Sequence, residues 1–147
     1  MPDFESLLGQ AIQIAAKAYN DVQIGHVTAM PTTGGAQQAS DFTQLQYTFQ
    51  QPRSYVTLDY SNGQFGQPAF HSGIWMGDQS LHPPFAKTLD TAIGILRAGG
   101  YTQPIARLDL TMPLYPGVTE PNYVFAFGNP VSRVIGVGAN TGTLVVE

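Results

Sequence analysis

The stretch Phe42-Thr43-Gln44-Leu45-Gln46-Tyr47-Thr48-Phe49-Gln50-Gln51-Pro52-Arg53-Ser54-Tyr55-Val56-Thr57-Leu58-Asp59-Tyr60-Ser61-Asn62-Gly63 decides the fold class. Leu45, Tyr47 and Phe49 alternate with polar neighbours, and Val56, Leu58 and Tyr60 alternate with Tyr55, Thr57 and Asp59. This is the period of two expected of half-buried strands. Gln50-Gln51-Pro52-Arg53 reads as the turn of a hairpin and Ser61-Asn62-Gly63 as a second turn. A ribbon of this kind has one apolar face, and something must cover it.

Upstream, Phe4, Leu7, Leu8, Ala11, Ile12, Ala15, Ala18 and Tyr19 recur at helical spacing, with Asp3 placed to cap the first turn and Asn20-Asp21 to stop the last. Residues 22–30 then read as a strand with Val22, Ile24 and His26 on one face, ended by Pro31, and residues 32–40 as a Gly/Thr/Gln-rich loop. Downstream, Phe85, Leu89, Ala92, Ile93 and Leu96 predict a second helix, capped by Thr88 and stopped by Gly99-Gly100. Strands follow over 105–114, 123–127 and 134–139, with a closing strand over 143–146. The two halves match in order and in residues: Met30-Pro31 with Met112-Pro113, Leu45/Tyr47/Phe49 with Tyr123/Phe125/Phe127, and Ser61-Asn62-Gly63 with Asn140-Thr141-Gly142. The expectation is an α+β protein of two repeated helix-plus-antiparallel-meander units, helices packed on antiparallel sheet. Its parts are residues 1–65, a connecting loop 66–84, and residues 85–147, all within one compact domain.

Composition narrows the function. The chain has 147 residues, enough for a core without cross-links, and no Cys, which removes thiol nucleophiles and Cys-bound metals. Charged residues make up 11%, against a usual ~25%. A net charge of -4 with six scattered Lys and Arg leaves no stripe for phosphate, so neither nucleic acid nor an anionic membrane is an expected partner. No signal-peptide pattern or long apolar run occurs, so the expected location is cytoplasmic, or periplasmic or secreted if a leader was removed.

The run Val134-Ile135-Gly136-Val137-Gly138-Ala139-Asn140-Thr141-Gly142-Thr143-Leu144, with Tyr123-Val124-Phe125 before it, resembles the PepSY family, whose repeats end in a strand, an Asx/Thr-Gly turn and a short closing strand. The resemblance is strongest over 85–147 and weaker over 4–65. It implies a non-catalytic module that binds or inhibits a protein partner. The family usually sits outside the cytoplasm and carries more charge than this chain. Size and polarity also fit a small immunity-type protein that neutralises a toxin.

Chemical motifs are sparse. His26, His71 and His82 show no metal-ligand spacing, no GxSxG elbow or phosphate-binding glycine loop is present, and the ten carboxylates are scattered singly. No catalytic residue, metal or cofactor is therefore expected, and Asp59 and Asp109 read as solvent-facing strand positions. The connection 66–84 is the local anomaly, because it gathers Phe70, His71, Trp75, Met76, Asp78 and His82. These six are the candidate binding residues, with Trp75 as the anchor and the loops 32–40 and 113–121 beside them. With its Tyr- and Gln-rich, low-charge surface, the chain is expected to bind an unidentified protein partner, as an inhibitor or immunity factor, or to pair as a homodimer. Two alternatives remain at this level: a carbohydrate or small-ligand binding protein, and a small enzyme using His71 or His82 as base with Asp78 orienting it.

Overall fold

The computed structural model describes residues 3–74, 80–113, 117–128 and 130–146. Helix α1 spans Phe4–Ala18, and the Asp3 carboxylate accepts the Ser6 N–H to cap it. Strands β1 (Gln23–Pro31), β2 (Phe42–Gln51) and β3 (Ser54–Ser61) follow, then the short β4 (Gln64–Phe65) and β5 (Ala69–Ser72). Helix α2 spans Leu89–Ala98 with the Thr88 hydroxyl accepting Thr91 N–H, and β6 (Ile105–Thr111), β7 (Asn122–Phe127), β8 (Arg133–Gly138) and β9 (Leu144–Val146) complete the chain.

These strands overturn the expected pair of repeated helix-plus-meander units. All nine join one antiparallel sheet in the order β4-β3-β2-β1-β6-β7-β8-β9, with β5 also paired to β3. The seam is β1 against β6, where Val27 faces Leu110, Thr28 faces Asp109 and Ala29 faces Leu108. Backbone hydrogen bonding therefore runs without a break from β4 to β9, and the two helices serve a single core rather than one unit each. The sequence shows the strands but not this pairing, because each apolar strand face is equally satisfied by a separate meander. Part of the expected connecting loop 66–84 is also a strand, since β5 lies within it.

The core lies between the helices and one face of the sheet. Phe4, Leu7, Leu8, Ala11 and Ala15 of α1 and Leu89, Ala92, Ile93 and Leu96 of α2 belong to the same buried cluster as Val27, Tyr47, Leu58, Leu108, Phe125 and Ile135. Register places these strand residues on one side: Val27 pairs with Tyr47, Tyr47 with Leu58, and Phe125 with both Leu108 and Ile135. Tyr123 reaches across, donating its hydroxyl to Lys87 O at 2.8 Å. No helix among the described residues is long and apolar enough to cross a membrane.

Candidate functional site

Among the described residues, no helix lies on the other face of the sheet. Strand alternation sends there the residues between the core positions, and cross-strand register aligns them. One row runs Asp59, Gln46, Thr28, Asp109, Val124, Gly136, Val145 across seven strands, and a neighbouring row includes Thr57, Thr48 and His26. The β1–β3 and β6 part of this face is polar apart from Met30, and the β7–β9 part carries Val124, Ala126, Gly136, Gly138 and Val145 beside Asn122.

At its centre stands a cluster that the sequence separates by more than eighty positions. His26 Nε2 lies 2.8 Å from Asp109 Oδ1, and the Thr28 hydroxyl donates to the same oxygen at 3.0 Å. Arg107 Nε donates to Oδ2 at 2.8 Å, and one of its terminal nitrogens to Oδ1 at 3.1 Å. His26 and Asp109 are 18% and 14% exposed, whereas Arg107 is 50% exposed, so the carboxylate is enclosed by its own donors. Asp109 is therefore not the solvent-facing strand residue expected of it. Nor does His26 share a face with Ile24: the register shifts between them, turning His26 to the helix-free side. Gly25 lies at the shift, and a Cβ there would meet the Gln50 side chain at 2.7 Å.

Burial alone would push the Asp109 carboxyl up. The hydrogen bonds from His26 and Arg107, with the Arg107 charge, outweigh that and hold it below the ordinary carboxylate range. Its folded-state value lies below the unfolded one, so the stabilisation is complete above about pH 3.9 and disappears as pH falls through the folded-state value. Urea unfolding is expected to give a stability gap between the native chain and Asp109→Asn at about pH 5 that narrows in stronger acid. A gap that stays constant into acid would show that the charge of Asp109 contributes nothing.

The sequence candidates are only partly gathered here. His71 is on β5, its Nε2 3.0 Å from the Thr57 hydroxyl and its ring stacked on Tyr55 at 4.7 Å, which places it on the helix-free face. Phe70, one residue earlier, points the other way, is 54% exposed and stacks on Tyr19 at 6.0 Å. His82 is exposed in the segment before α2, and no hydrogen bond or ion pair joins it to His71 among the described residues. Trp75, Met76 and Asp78 lie outside the described residues. Sequence reasoning missed Thr28, Arg107 and the pairing of His26 with Asp109. The available signal was the polar member of each alternating pair, Thr28 between Val27 and Ala29 and Asp109 between Leu108 and Leu110.

Two grooves flank the cluster. The larger, of about 770 Å3, lies between the loop after β1, the approach to β6 and the β7–β8 turn, and includes Met30, Thr32, Pro104, Arg107 and Val131. The smaller, of about 460 Å3, includes Thr28, Met30, Gln44, Gln46 and Asp59. The loop 32–40, expected to contribute contacts, thus walls the larger groove. It is held there by Ala36, which exchanges both backbone hydrogen bonds with Ile105 at 2.7 and 2.8 Å. Among the described residues no three His, Asp or Glu side chains come together as a metal site.

No protein-family model matches the chain, and none of the curated proteins matches it. Among solved structures, a candidate lipoprotein from Clostridium difficile 630 is similar, with a TM-score of 0.64 and 15% identity, covering 98% of this chain and 93% of that one. At that identity the likeness is one of fold, and the single nine-stranded sheet with its helices on one side is the architecture to which it applies.

Proposed function

We propose that the chain is a non-catalytic protein-binding module, of the inhibitor or immunity type, and that its contact surface is the helix-free face of the sheet. The observation that carries this reading is that no described element packs over this face, while its polar side chains are already tied together by hydrogen bonds across strands. Thr57 holds His71, Gln46 holds Asp59 at 2.9 Å, and Thr28 and Arg107 hold Asp109. Side chains ordered before contact lose less conformational entropy on binding. The face is neutral, amphipathic and aromatic at its β3–β5 end, which suits recognition by shape and hydrogen bonding. The PepSY-like β8–β9 hairpin agrees with a binding role. Absence of Cys lets such a face work under reducing or oxidising conditions.

The test is retention of proteins from the source cells and their medium on immobilised chain. Thr57→Arg and Gln46→Arg each place a long cation on the helix-free face, and Lys17→Glu alters the exposed side of α1. We expect at least tenfold weaker retention of a stoichiometric partner with the first two and no change with the third. A partner held equally by all forms would refute the face assignment, and retention of a second copy of the chain would identify the homodimer. The enzyme alternative separates through a double His71→Gln/His82→Gln variant, which should abolish any turnover if that alternative holds, whereas His82→Gln alone, off the contact face, should leave partner affinity within about twofold.

A further inference from the structure

Resting on the protein-binding reading, we infer that the two grooves beside Asp109 form one trough for an extended segment of the partner, with an acidic residue at one end, an apolar residue in the middle and a basic residue at the other. Met30 belongs to both grooves and is 45% exposed, so it forms the shared floor. Among the described residues, Arg107 is the single charged residue lining the larger groove. Asp109 engages its Nε and Nη2, which fixes the plane of the guanidinium, and Nη1 makes no hydrogen bond among the described residues. Asp109 pins the guanidinium and offsets part of its charge, and the remaining Nη1 is a charge-assisted donor aimed away from that pair, which a carboxylate side chain entering the groove would accept.

Among the described residues, Asp59 is the single charged residue lining the smaller groove. Its Oδ1 accepts from Gln46 Nε2, leaving Oδ2 for a cation. Exposed Met30 and, in the larger groove, exposed Val131 supply the apolar contact between and beside the charges. Arg107 and Asp59 are separated by three strand spacings of about 4.8 Å and two residues of about 3.4 Å, hence about 16 Å, which an extended chain spans in about five residues. Opposite charges set that far apart, with apolar surface between them, prescribe the composition of the segment and which of its ends lies over which groove.

The probe is the capped pentapeptide Glu-Ala-Leu-Ala-Lys, titrated into the full chain and followed by NMR. Shifts are expected at the Met30 and Val131 methyls and at Arg107 Nε. Replacing the peptide's Glu by Gln should weaken binding about two- to fivefold, and replacing its Lys by Gln should do the same, as suits partly exposed ion pairs. Arg107→Gln should remove the preference for Glu and keep the preference for Lys, and Asp59→Asn should do the reverse. Either variant alone suffices if the other disturbs the amide spectrum. Equal binding of the charged and neutral peptides, shifts confined to other surfaces, or no binding at all would overturn the trough. If it fails while Thr57→Arg still releases the partner, the face reading stands without it; if Thr57→Arg also releases nothing, the face reading has failed on its own test.

Discussion

Phe125→Ala is expected to lower the unfolding free energy by about 3–5 kcal/mol, the range for removing a large aromatic side chain from a packed interior. Phe125 is fully buried, and its β7 position faces Leu108 on one side and Ile135 on the other, so its ring is enclosed within the sheet's core face. Phe49→Ala, in β2 of the other half, is expected to cost a similar amount, since Phe49 is 1% exposed between Ile24 and Val56. The sharper expectation concerns the shape of the transition. Because β1 pairs with β6 and both helices feed one core, each variant should shift a single cooperative urea transition with its slope unchanged. A variant that melts its own half while the other half persists would show two separately stable units, and the continuous sheet would not be the cooperative body.

Gly35→Val is expected to cost about 2–5 kcal/mol, combining roughly 1–2 for forcing a side chain into the left-handed region with about 1–3 for overpacking. Gly35 has φ +89, and a Cβ there would meet Pro104 Cβ at 2.6 Å and Ile105 O at 3.5 Å. Pro104 and Ile105 lead into β6, so the clash falls on the Pro104 ring, immediately before the backbone that carries the Ala36–Ile105 hydrogen bonds. Hydrogen exchange should report loss of protection at the amides of Ala36 and Ile105 beyond the global change, together with opening of the larger groove. Gly34→Ala is a control for the chain direction alone: its φ is +70, but an added Cβ there meets nothing within 4 Å. If Gly34→Ala and Gly35→Val cost the same, close approach to Pro104 is not the reason for glycine at position 35.

The helices and strands were legible because their signals are local. The apolar spacing of Phe4, Leu7, Leu8, Ala11 and Ala15, the caps Asp3 and Thr88, and the alternation of Leu45, Tyr47 and Phe49 act within a few residues of chain. The core list followed from the same alternation. The site was far less legible. Phe70, His71 and His82 were picked out as neighbours in sequence, yet β5 turns Phe70 and His71 to opposite faces and His82 lies in the separate segment before α2. His26, Thr28, Arg107 and Asp109 are individually unremarkable polar residues on apolar strands, and their meeting depends on which strand lies beside which.

By itself, then, the sequence determined the two helices, the longer strands and the buried faces of β2, β3 and β7, together with the absence of thiol chemistry and the low charge of the chain, all of which depend on residue type and short-range periodicity, whereas the bulge in β1 and the short β4 and β5 escaped it. Tertiary structure alone decided that β1 pairs with β6, that both helices cover the same side, and that the uncovered side gathers His26, Arg107 and Asp109 between two grooves. The physical reason is that strand partners are chosen by long-range backbone hydrogen bonding and shared core packing, which chain periodicity does not encode, while a polar cluster exists only after register has aligned its members.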